Sequence, residues 1–181
     1  TVPATTPVLG VAARSVYLYV DNFGSGGSLY RVGAGELSKV GSALAIDRVY
    51  NPRIIDRAGS PAVVFGSGSK TKMAWPAAEA WKESVLHSGT SSSISTTESN
   101  GVTYIASSDG EHVSISSITA DGFVTAEVTE AFPKPYSVAV AARNNMLYLA
   151  VIESGTQLVR VYKASASNLT QWEHLGGIVV T

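Results

Sequence analysis

Arg31 and Arg160 sit in two matching strand-like runs, Leu29-Tyr30-Arg31-Val32 and Leu158-Val159-Arg160-Val161, and Lys72 takes the same place in a third run. Trp81 and Trp172 each have a glutamate close by, Glu83 and Glu173. A planar guanidinium hydrogen-bonds hydroxyl groups, and an indole covers the apolar face of a sugar ring. Arg31, Trp81, Arg160, Trp172 and Glu173 are therefore the candidate ligand-binding residues. The ligand they suit is a glycan or a similar small molecule. Each also has a purely structural reading, with tryptophan capping a hydrophobic core and arginine pairing with the nearby glutamate.

Other chemistry finds less support. Glycosidic cleavage needs two carboxylates about 5–10 Å apart across a cleft. Asp47, Asp56, Asp109 and Glu153 are candidates by type alone. Asp109 and Glu153 fall in expected hairpins, where solvated acids are the norm. Asp47 with Arg48, and Asp56 with Arg57, read as surface pairs. Gly66-Ser67-Gly68-Ser69-Lys70-Thr71 lacks the glycine before lysine that a phosphate loop requires, so it reads as a hairpin turn. His87, His112 and His174 have no second ligand at metal spacing. No Gly-x-Ser-x-Gly elbow occurs. No catalytic residue is singled out, and no metal or other cofactor is called for.

These residues need a scaffold, and the scaffold repeats. Four short runs mix aromatic with β-branched or aliphatic residues, as strands buried between stacked sheets do. They are Val16–Val20, Ala62–Phe65, Val102–Ala106 and Met146–Ala150, with starts 46, 40 and 44 residues apart. A turn follows each: Asn22–Gly27, Gly66–Ser69, Asp109-Gly110 and Glu153–Gly155. A second strand follows every turn, a weaker one precedes each anchor, and a last strand closes each unit, as at Phe123–Val128 and Trp172–Leu175. Four short strands per unit at this period describe a β-propeller blade. A β-sandwich is the alternative, since it also has regular turns. Pro76–Glu83 is rich in helix formers, with proline at a first helical position, and predicts a turn of helix.

Composition bounds the rest. Among 181 residues, 45% are hydrophobic and 15% charged, which is the balance of a folded domain. Net charge is −1, from 13 basic and 14 acidic residues, and no basic stripe appears, which argues against nucleic acid. No apolar run approaches the roughly 18 residues of a membrane span. With no cysteine, disulfides and thiolate chemistry are excluded. Residues 1–8 read as an extended leader to a mature domain, and Asn168-Leu169-Thr170 is a glycosylation sequon; both favour secretion.

The stretch from Leu158 to Gly177 resembles blades of carbohydrate-active propellers. Arg160-Val161-Tyr162 is similar to the arginine-containing strand of fungal fucose-binding lectins, a family in which an Arg, a Glu and an aromatic from neighbouring blades hold fucose. Ser165 and Trp172 keep the end spacing of the Asp-box of sialidase-like propellers, with Ser167 in place of its Asp and Leu169 in place of its Gly. Ser167–Trp172 is also similar to blades of five-bladed glycoside hydrolases. The likeness covers about one blade. The third unit lacks both the Arg and the Trp.

The expectation is an all-β, propeller-like array of about four four-stranded antiparallel blades. It places one domain over 9–181, with units near 9–46, 47–93, 94–135 and 136–177 and a further strand at 178–181. That strand could join another chain's sheet, giving a homo-oligomer through terminal strands. The expected function is that of a secreted, non-catalytic, lectin-like protein. The alternatives are a propeller-scaffold enzyme acting on glycans or small molecules, and an adhesion module working through its strand edges.

Overall fold

The computed structural model describes residues 7–21, 26–45, 49–78, 80–89, 91–128, 132, 134–156 and 158–179. Among the described residues, sixteen strands follow one another. The first blade comprises β1 (Pro7–Ala12), β2 (Ser15–Asp21), β3 (Gly27–Val32) and β4 (Leu37–Leu44). The second comprises β5 (Tyr50–Arg57), β6 (Ser60–Ser67), β7 (Lys70–Pro76) and β8 (Trp81–His87). The third comprises β9 (Ser93–Ser99), β10 (Val102–Ser108), β11 (Val113–Thr119) and β12 (Gly122–Glu127). The fourth comprises β13 (Pro135–Arg143), β14 (Met146–Glu153), β15 (Leu158–Ser165) and β16 (Glu173–Val179).

Every hydrogen-bonded neighbour is also the neighbour in sequence, and all pairs are antiparallel. Four separate up-and-down sheets are the blades expected, and the sandwich alternative, which joins distant strands, falls away. The four anchors lie in β2, β6, β10 and β14, the second strand of each blade.

The repeat is most regular where the first two strands of each blade join. The turns are Ala13-Arg14, Ala58-Gly59, Asn100-Gly101 and Asn144-Asn145, and φ is positive at all eight residues. That is the signature of the type I′ hairpin, whose twist matches that of the flanking strands. Asparagine and glycine accept it readily; Ala13, at φ 47°, does not.

The chain divides into two compact units, Thr1–Ser88 and Gly89–Thr181. In the first, Tyr17, Tyr19, Leu29, Leu44, Ile54, Val63 and Phe65 form one core. Gly10 lets β1 approach β5, since a Cβ there would sit 2.6 Å from that of Ile54. In the second unit, Tyr104, Ile115, Val138, Leu147, Leu149, Val151 and Tyr162 form the core. A serine seam joins the third blade to β13, the first strand of the fourth. Ser93 and Ser95 Oγ accept the N–H groups of Val138 and Val140 at 3.2 and 3.1 Å. Buried Ser108 donates its hydroxyl to the Pro135 carbonyl at 2.7 Å.

Two local expectations change. Pro76–Glu83 forms no helical turn: β7 runs through Pro76, the Ala77 N–H donates to the Ala80 carbonyl at 3.0 Å, and β8 begins at Trp81. Four residues between paired strands are too few for a helix nucleus, so alanine propensity loses to the hairpin. Of that segment, Glu79 lies outside the described residues. The strand expected at 178–181 is no separate strand, because Glu173–Val179 is continuous as β16, and Val180 and Thr181 lie outside the described residues. Asp47 and Arg48, and most of the Asn22–Gly27 turn, also lie outside them. The Gly66–Thr71 turn is as expected: Ser67 pairs with Lys70, with Gly68 at φ +57° between them. Among the described residues no helix is long and apolar enough to cross a membrane.

Candidate functional site

Two blades end their second strand on a buried acid. Asp21 closes β2 opposite Gly27 and is 6% exposed; Glu153 closes β14 and is 2% exposed. Ser67 and Ser108 hold this place in the other two blades.

Burial raises the Asp21 carboxyl above its ordinary range, because the charged form loses its water. Tyr19 lies two residues earlier, on the same face of the strand. It is completely buried, and its hydroxyl has no hydrogen-bond partner among the described residues. Burial pushes the phenol upward, and the nearby Asp21 charge adds to this. Only glycine fits at 27, since a Cβ would run into the Tyr19 hydroxyl and ring. A buried carboxyl that keeps its proton at higher pH is the feature of a general acid.

Glu153 meets a cation. Arg160 Nε lies 2.8 Å from Glu153 Oε1, diagonally across β14 and β15. The N–H is poorly aligned with that oxygen, so the contact is an ion pair and not a full hydrogen bond. The Arg160 side chain remains 34% exposed.

The candidate ligand residues scatter. Arg31 is exposed on β3, opposite Tyr17 and Ser38. Its match to Arg160 does not survive the register. Arg160 and Lys72 each stand two residues past the start of their strands, at Leu158 and Lys70, whereas Arg31 stands four past Gly27. Lys72 pairs with Glu83 at 2.9 Å. Trp81 donates its indole N–H to the Ser42 carbonyl at 2.8 Å, joining the second blade to the first. Ser42 lies roughly 13 Å along β4 from the register of Arg31, so these two residues do not converge.

On the fourth blade the structure does bring two candidates together. Trp172 and Glu173 line a shallow cleft of about 230 Å³ with Met146, Lys163, Ser165 and Gln171. Glu173 pairs there with Lys163 at 3.0 Å, and not with Arg160. The Trp172 N–H points inward to the Leu169 carbonyl at 2.8 Å.

The acids named from sequence resolve differently. Asp109 caps its own turn, accepting the N–H groups of Glu111 and His112 at 2.9 and 2.7 Å. Asp56 accepts the backbone N–H groups of Ala13 and Gly59, and Arg57 lies 4.2 Å over the Trp75 ring. Glu153 is a buried ion-pair member and not a solvated turn residue. Asp21 and Tyr19 were not singled out at all. The signal was present: an acid ends the apolar runs Val16–Asp21 and Leu147–Glu153 in the two units that match best.

No protein-family model matches the chain, and no curated protein matches it in sequence. Its fold is similar to that of a subtype N10 neuraminidase-like protein of A/little yellow-shouldered bat/Guatemala, with a TM-score of 0.59, 8% identity, and coverage of 94% of this chain and 58% of that one. It is also similar to a GH43 glycoside hydrolase engineered in its active site for endo-xylanase and exo-arabinofuranosidase activity, with a TM-score of 0.54, 11% identity, and coverage of 94% and 41%. The chain thus spans 58% and 41% of the lengths of the two structures. These matches overturn the non-catalytic, lectin-like expectation: these two propellers that resemble this chain are a neuraminidase-like protein and a glycoside hydrolase. In fold, the chain is a β-propeller array of four four-stranded antiparallel blades.

Proposed function

We propose that this chain is the blade array of a glycan-acting enzyme in which Asp21 is the general acid. The observation that carries this reading is the Asp21 carboxyl, buried at the end of β2 and held protonated to higher pH by that burial. Cleavage of a glycosidic bond needs such an acid to protonate the leaving oxygen, together with a second carboxylate that attacks the sugar or activates water, and Asp21 takes the first of these two roles. The fold likeness to two glycan-related propellers supports the same reaction class. The test is turnover of a panel of aryl glycosides carrying pentoses, neutral hexoses and acidic sugars. Asp21→Asn is expected to lower kcat by about 10²–10⁴-fold. No turnover on any sugar, or an unchanged rate in the variant, would reject the reading.

Secretion and self-association belong to this proposal. The sequon Asn168–Thr170 lies in a loop where Asn168 and Thr170 are exposed, as an acceptor site must be. Leu175, Ile178 and Val179 of the edge strand β16 are 46%, 66% and 64% exposed, which favours edge-to-edge pairing of two chains. A light-scattering mass of two chains that reverts to one in Ile178→Lys supports pairing; a monomer mass throughout counts against it.

A further inference from the structure

We propose that the Trp172 cleft on the fourth blade is an accessory subsite for one neutral pyranose ring, separate from Asp21. This rests on the glycan-acting reading above, and it concerns recognition and not bond cleavage.

The cleft has the chemistry of a sugar platform. Trp172 is half-buried against the core of the second unit, and its indole N–H is already satisfied by the Leu169 carbonyl at 2.8 Å. What it offers the cleft is therefore ring surface, which suits the C–H face of a pyranose. Met146 adds a soft, polarizable wall. Lys163 and Glu173 stand at the rim as a 3.0 Å pair, with side chains 34% and 64% exposed. The pair gives hydroxyl groups both a donor and an acceptor, and its charges cancel. An acidic sugar thus gains no advantage, which points to a neutral ring. The volume, about 230 Å³, equals that of about eight liquid waters, room on the order of one hexose.

The loop beside the cleft is already ordered by its own hydrogen bonds. Asn168 Oδ1 accepts the Thr170 N–H at 3.1 Å and the Thr170 hydroxyl at 2.8 Å. Asn168 Nδ2 donates to Gln171 Oε1 at 3.2 Å, which orients the Gln171 side chain at the cleft. Ser167 N–H donates to Ser165 Oγ at 3.3 Å. Little ordering remains to be done when a sugar arrives, and that lowers the cost of binding.

The experiment is a titration of the full 181-residue chain with glucose, galactose, xylose and their disaccharides, followed by NMR of the indole N–H signals. The chain has three tryptophans, so Trp172→Phe assigns its signal by loss. The expected result is a saturable shift of the Trp172 signal with a Kd on the order of 1–10 mM for at least one neutral sugar. Phenylalanine at 172 keeps the packing but offers a smaller face, and should weaken binding by about fivefold or more. Glu173→Gln and Lys163→Met change groups at the rim of the cleft, and should each weaken it by about threefold or more. Should Trp172→Phe fail to fold, these two variants carry the test. No Trp172 shift with any of these sugars up to about 100 mM, or unchanged affinity in all three variants, overturns the proposal. Asp21→Asn is expected to bind as the native chain does, so loss of turnover with retained binding separates the two readings.

Discussion

Asp56 Oδ2 accepts the backbone N–H of Ala13, while its Oδ1 accepts that of Gly59 at 2.6 Å. One carboxylate therefore holds the type I′ turns of the first two blades. Ala13 occupies a left-handed backbone position that alanine disfavours, and the bond from Asp56 helps to keep it there. Asp56→Ala is expected to cost about 2–4 kcal/mol by removing two charge-assisted hydrogen bonds. Ala13→Gly should gain about 0.5–1 kcal/mol, because glycine accepts the positive φ. Urea unfolding of both variants checks the pair; a neutral Asp56→Ala would remove the clamp.

The Arg160–Glu153 contact leaves a carboxylate almost wholly buried beside a partly exposed cation. Arg160→Met strands that carboxylate, and the expected loss is about 2–4 kcal/mol, reduced from a fully buried pair by the exposure of Arg160. The double change Glu153→Leu with Arg160→Met should recover most of the loss, since neither charge then remains. A double-mutant cycle with no coupling would show that the contact contributes nothing.

Asp21 makes stability depend on pH. Burial raises its folded carboxyl above the unfolded value, so the folded chain holds this proton more tightly. Its contribution is whole below the unfolded value, about 3.9, and is lost as pH rises through the folded value. Asp21→Asn carries no charge at any pH. It is expected to be more stable than the native chain at neutral pH, with the gain fading below about pH 4. Thermal melts across that range measure it, and a variant less stable at neutral pH would contradict the burial penalty.

The Tyr19 hydroxyl is buried without a hydrogen-bond partner among the described residues. Tyr19→Phe removes that oxygen and should be neutral or stabilising by about 1 kcal/mol. Because the phenol is raised, its contribution is lost as pH climbs above the unfolded value of about 10. The native chain should thus weaken in alkali more than Tyr19→Phe. Equal alkaline melting curves would show that this phenol carries no such penalty.

The blades were legible because β6 and β10 are buried on both faces, and β2 and β14 bury alternate residues but keep aliphatic or aromatic ones between them, so all four read as apolar runs. The site was legible only in part. Leu29–Val32 echoes Leu158–Val161 in letters, but Leu158 opens β15 whereas Leu29 lies two residues inside β3. A shift of two keeps the face and moves the side chain about 7 Å, enough to separate Arg31 from the position of Arg160. Glu153 looked like a turn acid because glycine and serine follow it, and nothing local reveals that Arg160 folds back to cover it. The helix formers of Pro76–Glu83 misled for a related reason, since strand pairing on either side decides the link between them.

Turnover of an aryl glycoside as a function of pH, in the native chain and in Asp21→Asn, tests the assignment of a glycan-acting enzyme most directly. The expected result is a kcat/KM that falls as pH rises through the raised value of Asp21, because the acid must carry its proton, and a rate lower by about 10²–10⁴-fold in the variant. Native-like rates in Asp21→Asn, or no hydrolysis of any glycoside by a folded native chain, would contradict it.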